Sequence, residues 1–295
     1  MAKARALDKR RKSVRNIRKI TRTMELIATA RFKKAMDRAT AASAYTDRMQ
    51  KLVSDLASSG LEVTHPLMQA RETTSRAALL VLTANRGLCG GFNGNVLRAA
   101  LARRDELNEN VPETALEVSG KRGISAFRFR DIEPDVMFTH FEDKPRFDEV
   151  DEIAKRYLDD FAAGELDRLD VAYMQFESVA RQKAVVETLL PLGGLGGDAE
   201  AGKDGGPGQS NYEFQPSAES ILAEVIPSSF KVKLFKCFLD AAVSEQVARM
   251  IAMKGATENA GDLIRKLSMT YNRARQSQIT GEIMEIIGGV EALKN

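Results

Sequence analysis

VRNIRKITRTMELIATARFKKAMDRATAASAYTDRMQKLVSDL, residues 14–56, repeats an apolar or small residue every seventh position: Val14, Thr21, Ala28, Ala35, Ala42, Met49 and Leu56, with Ile17, Met24 and Leu52 on the alternate positions. This spacing predicts one long helix with a narrow seam of small side chains that lets a second helix approach closely. Arg31 and Arg38 interrupt the seam where a strict dimeric coiled coil would carry Leu. Neither Pro nor Gly occurs before Gly60. The helix therefore has about 55 residues to run in, on the order of 80 Å at 1.5 Å per residue.

The matching stripe lies at the other end of the chain. Over 243–290 the residues Ala260, Leu263/Ile264, Leu267, Tyr271, Ala274, Ile279, Ile283, Ile286/Ile287 and Val290 recur at helical spacing. Only Gly255, Gly261 and Gly281 weaken it before Gly288-Gly289, at about 1 kcal/mol each relative to Ala. Neither helix can bury its stripe alone, so the two ends are expected to wind around each other and leave the middle of the chain as a separate body. Pro216 and Pro227 are expected to frame a short helix, with the long C-terminal helix starting at Pro227 or just after.

Between the two helical ends the pattern changes. AALLVLTA (77–84), TALEVS (114–119), DVMFTHF (135–141), DVAYMQF (170–176) and AVVETLLPL (184–192) read as strands, and 95–107, 121–130 and 147–163 as helices. Strands alternating with helices predict an α/β sheet, largely parallel. Residues 193–211 hold eight glycines and almost nothing apolar, the composition of a flexible excursion. The expected division is a 1–60 helix, a 75–192 α/β domain, a 193–215 Gly-rich and foot segment, and 216–295 returning to the paired helices.

Composition limits the function. The chain has 295 residues, 43% apolar content, no Trp and two cysteines, Cys89 and Cys237, too far apart to suggest a metal or redox pair. No run of about 18 apolar residues offers a membrane span, and the basic start MAKARALDKRRKSVRN lacks the apolar core of a secretory signal. Residues 1–40 carry fourteen Lys or Arg against three acids, a net of +11, so the rest of the chain carries about −8 of the overall +3. Such a basic helix suits nucleic acid, or passage through acidic protein surroundings.

The chemical motifs are near misses. Gly197 to Lys203 follows a phosphate-binding loop for seven positions, but Asp204 stands where Ser or Thr should hold magnesium, and Gly-Gly-Pro replaces the helix. Gly87-Leu-Cys-Gly-Gly91 follows a strand without the dinucleotide spacing, and close packing of the turn explains it better. Cys89 reads as a buried structural thiol, since His65 and His140 make no local signature with it. No catalytic residue, cofactor or metal site is expected.

Three stretches, 12–35, 83–95 (TANRGLCGGFNGN) and 244–289, resemble the gamma subunit of F-type ATP synthases in order and in detail. The resemblance implies an antiparallel coiled coil of the terminal helices plus a central Rossmann-like domain. It implies a central-stalk rotor, one copy per complex, coupling c-ring rotation to the catalytic beta subunits without a catalytic site of its own. The implied partners are alpha, beta, epsilon and c, with delta, a and b in the same complex, and no nucleic acid. Membrane association would come only through the c-ring, at the cytoplasmic face of the bacterial inner membrane. By the same resemblance Met24, Arg275, Gln276 and Thr280 face the stator. Ile283, Ile286, Ile287 and Val290 form a bearing tip, and Tyr212 and Phe214 form a foot contact with epsilon and the c-ring. The alternative reading is a basic coiled-coil protein that binds nucleic acid.

Overall fold

A computed structural model describes residues 2–58, 65–69, 71, 73–141, 144–192 and 218–293. The chain divides into two compact units: Met1–Thr29 with Arg249–Asn295, and Ala30–Ala248.

The first unit is a pair of helices, the N-terminal part of α1 (Ala2–Ser58) and the C-terminal part of α5 (Ala218–Ala292). Their direction follows from three contacts. Arg11 lies over the Tyr271 ring at 4.7 Å, Arg18 is nearest to Gly261, and Thr257 donates its hydroxyl to Thr21 Oγ1 at 2.9 Å. Numbers rising along α1 meet numbers falling along α5, so the pair is antiparallel. Val14, Ala260 and Leu267 form its core, with Leu7 and Ile264 packed against them. Val14, Thr21 and Ala28 are buried as the seven-residue spacing predicts. The alternate positions differ from expectation: Glu25 is buried whereas Ile17 is half exposed. A partner that packs on steps of four residues from the seam turns positions 17 and 24 outward.

The second unit is built on a five-stranded sheet in the order β3-β2-β1-β4-β5. The strands are β1 (Arg76–Leu82), β2 (Glu113–Ser119), β3 (Val136–Phe138), β4 (Arg168–Phe176) and β5 (Gln182–Leu190). The first four are mutually parallel and β5 returns antiparallel to β4. Each parallel crossover contains a helix: α2 (Phe92–Asn110), α3 (Lys121–Arg128) and α4 (Phe147–Ala163). Strand alternation divides the core into two layers. Ala78, Leu80, Leu82, Val171 and Tyr173 face α4 and the first part of α5, while Ala77, Leu79, Val81, Ala172 and Met174 face α2 and α3. The helices lie on both faces of a doubly wound sheet.

Pro227 does not begin a helix, contrary to the sequence reading, but lies inside α5. It removes one backbone donor, a cost that packing offsets because Ile226 and Phe230 on either side are fully buried. Within the same unit a strip of α1 around Ala35 and Ala39 packs on Leu239, Val243 and Val247 of α5, and Phe32 meets Phe176 of β4 at 6.4 Å.

Candidate functional site

A doubly wound sheet ordinarily takes a ligand outside the C-terminal ends of its strands, at the point where the strand order reverses, here beside β1. Here the polar groups at that edge bond their own chain. Thr83 Oγ1 donates to Ser119 O at 2.7 Å and accepts from Gly123 N at 3.0 Å. The Asn85 amide donates to Phe141 O at 2.7 Å, and its oxygen accepts from Lys121 N at 3.0 Å. Asn93 accepts from Ala84 N and donates to Cys89 Sγ at 3.2 Å. Cys89 is buried, as a structural thiol should be.

The strong charge networks of this unit bind strands to helices. Asp170, with no exposed surface, accepts from Arg103 Nε at 2.7 Å and from Thr188 at 2.7 Å, with Arg168 at 3.1 Å. Glu117 accepts from Arg156 at 2.5 Å and from the Tyr157 hydroxyl at 2.7 Å, and burial first, then the Glu117 charge, pushes that phenol far up. Burial opposes ionisation of Asp167, yet the amides of Arg76 and Ser75 and the Arg71 guanidinium hold it below the ordinary carboxylate range. Every carboxylate of these three networks is matched by donors in its own unit, so they read as fasteners of the sheet.

The surface that asks for a partner is on the paired helices of the first unit. Along α1, Ile17, Ile20, Met24 and Ile27 recur at steps of three and four and so share a face; the three isoleucines are 47–60% exposed and Met24 is half-buried. Sequence reading placed Ile17 and Met24 in the seam and passed over Ile20 and Ile27. The signal was present as a second apolar stripe on one helix, which implies a second partner. Along α5, Arg275, Ile279, Ile283, Ile286/Ile287 and Val290 form another outward stripe, the apolar members 44–66% exposed. Arg275, Gln276 and Thr280 are exposed, and their side chains make no hydrogen bond among the described residues. A helix pair turning this much aliphatic surface outward is incomplete by itself. Tyr212, Phe214 and the segment 197–203 lie outside the described residues.

The basic residues of α1 are partly matched within this unit. Lys12 and Arg11 ion-pair with Asp8 and hold its carboxyl low, and Arg22 meets Glu25 at 2.7 Å. Among the described residues no helix is long and apolar enough to cross a membrane.

The profile of the ATP synthase family matches residues 3–293. An ATP synthase gamma chain of Rhodopirellula baltica is 64% identical over 295 residues, covering all of both chains. One from Leptospira biflexa is 38% identical over 99% of this chain and 100% of its own. Among solved structures, a chain of the Euglena gracilis mitochondrial ATP synthase assembly of OSCP, F1 and c-ring superposes with a TM-score of 0.66 at 19% identity, covering 99% of this chain and 95% of that one. A chain of the rotor of the same synthase gives 0.62 at 17% identity over 94% and 99%. These superpositions show the same fold, and nothing in the comparisons favours a nucleic-acid-binding coiled coil. With its helix pair, doubly wound sheet and full-length relatives, the chain belongs to the ATP synthase gamma chain family.

Proposed function

We propose that this chain is the central-stalk rotor subunit of an F-type ATP synthase. It transmits ion-driven rotation of a c-ring to the nucleotide sites of the beta subunits, and carries ATP-driven rotation in reverse. It works without a catalytic site of its own, as one copy among alpha, beta, epsilon and c partners, with delta, a and b in the same complex. It meets the membrane through the c-ring, at the cytoplasmic face of the bacterial inner membrane.

The observation that carries this reading is the outward aliphatic surface of the paired helices, in a chain 64% identical from end to end to a gamma chain. Such a surface can turn inside an apolar sleeve, because dispersion contacts have no preferred direction and no hydrogen bond has to break as the shaft moves. Ile283, Ile286, Ile287 and Val290 serve as that bearing. Arg275, Gln276 and Thr280 supply directional hydrogen bonds at chosen angles, and Met24, amid its isoleucine stripe, is the matching contact on α1. Because the two helices carry different stripes, each angle presents a different surface to the surrounding subunits, which an asymmetric drive requires.

Co-expression with the alpha, beta and epsilon chains of the same source tests the reading. The expected result is a complex with one copy of this chain per three beta subunits, in which ATP hydrolysis turns a bead attached to the sheet domain. A catalytic complex that assembles and works identically without this chain would overturn it.

A further inference from the structure

In the helix pair both buried rows repeat every seven residues: Val14, Thr21 and Ala28 on α1, and Met253, Ala260 and Leu267 on α5. Two such rows meet again after a slip of seven residues, about 10 Å along the axis. Val14, Ala28 and Ala260 are small, so interlocking side chains oppose that slip only weakly.

Polarity does not repeat in this way. At one end of the pair Val14, Ala260 and Leu267 form an apolar core with Leu7 and Ile264. Next to it lies a polar layer. The Thr257 hydroxyl donates to Thr21 Oγ1 at 2.9 Å across the pair, and Thr21 in turn donates to Arg18 O at 3.1 Å. One turn further along α1, Glu25 is 8% exposed, with one carboxylate oxygen accepting from Arg22 at 2.7 Å. Its other oxygen, Oε2, is buried without a hydrogen-bond partner among the described residues. A half-matched buried carboxylate destabilises a helix pair relative to an apolar side chain of similar volume, so stability is not what this layer supplies.

The two layers distinguish one register from the next. Counting from the Thr21–Thr257 bond, Val14 is level with Ile264 and Glu25 with Met253. A seven-residue slip in one direction carries Thr21 to Ile264 and Glu25 to Ala260, which puts the unmatched carboxylate oxygen into the apolar core. The opposite slip carries Val14 to the Thr257 hydroxyl and Ala260 to Arg11, and it parts Arg11 from the Tyr271 ring that it covers at 4.7 Å. Only the observed register sets polar against polar and apolar against apolar.

We propose that Thr21, Glu25 and Thr257 are a register key, which holds the paired helices against axial sliding at a cost in stability. The inference concerns the pair itself and does not depend on the rotor assignment. In a rotor the key has a direct use, because twisting a pair of wound helices shears one along the other.

Spin labels at Lys19→Cys and Ser277→Cys in the full chain test the key; both positions are exposed, while Cys89 and Cys237 are buried and stay unlabelled. Pulsed dipolar spectroscopy should give one interhelix distance when the three key residues are unchanged. Thr21→Val/Glu25→Leu/Thr257→Val should keep or raise the urea midpoint, yet add a second distance displaced by up to about 10 Å, one heptad. Glu25→Gln, which keeps a polar group in the layer, should retain the single distance. The proposal is overturned by a triple variant that shows one distance only, or by a second distance already present with the key intact. A triple variant with a lowered urea midpoint overturns it too, since the three residues would then be ordinary packing.

Discussion

Gly120 has φ 101, and a Cβ there would lie 2.1 Å from the Thr83 carbonyl oxygen, so β1 and β2 can close over α3 only with glycine at that position. Gly120→Ala should lose at least about 2 kcal/mol in denaturant unfolding, because backbone rather than a flexible side chain must move. Asp240 offers a second test. Burial between α5 and β4 raises its pKa to about 6, with the Glu187 charge adding to the rise and Lys236 and the Phe176 amide opposing it. Near pH 3 and below, both folded and unfolded chains hold the proton. Between there and pH 6 the unfolded chain releases it while the fold retains it, and stability falls; above pH 6 the deficit is constant. Asp240→Asn keeps an acceptor for Phe176 and removes the charge. It should stabilise by about 1–2 kcal/mol at pH 8 and by almost nothing near pH 3, read from urea melts at both. Neither residue was legible beforehand, since one depends on a backbone angle and the other on burial created by packing.

Among the elements, strands and helices of the middle segment emerged within a few residues of their predicted ends because their alternation and turn chemistry are local. The return of β5 antiparallel to β4 was not, since pairing direction depends on a partner. Pro227 failed as a helix boundary for a related reason: a breaker is a local cost, and the burial of Ile226 and Phe230 outweighs it. The antiparallel register of the first unit gives a direct test. With hydroxyls 2.9 Å apart, Thr21→Cys and Thr257→Cys together should form an intrachain disulfide under mild oxidation, seen as a mass loss of two hydrogens, whereas Ile20→Cys with Thr257→Cys should not. A crosslink forming only between chains would contradict the pairing.

For the molecule as a working part, the outward stripes make two further predictions. Arg275→Leu/Gln276→Leu should leave the unfolding of the isolated chain within about 0.5 kcal/mol, since both residues are exposed. On the proposed stator role of these residues, the double change should reduce ATP-driven pumping relative to hydrolysis in the assembled synthase, by the loss of charge-assisted bonds worth about 1.5–3 kcal/mol each. Removal of the chain from Gly288 onward should lower turnover gradually, because Ile283, Ile286 and Ile287 of the proposed bearing remain; complete loss of hydrolysis in a complex that still assembles would show the tip to act otherwise.

The heptad of small residues, the second helical stripe near the C-terminus and the strand–helix alternation between them are all periodic features of neighbouring residues. That is why two helical ends, a central α/β sheet and a family resemblance could be read from the chain directly. Which apolar residues face inward is another matter. Ile17 and Glu25 are each compatible with a seam or a surface until the partner's crossing geometry is set, and the fold buries the carboxylate and leaves the isoleucine outside. The outward stripe around Met24, the polar layer of Thr21, Glu25 and Thr257 within the helix pair, and the buried charge networks of Asp170 and Glu117 exist only when segments far apart in sequence meet, because burial and register are properties of contacts and not of residues.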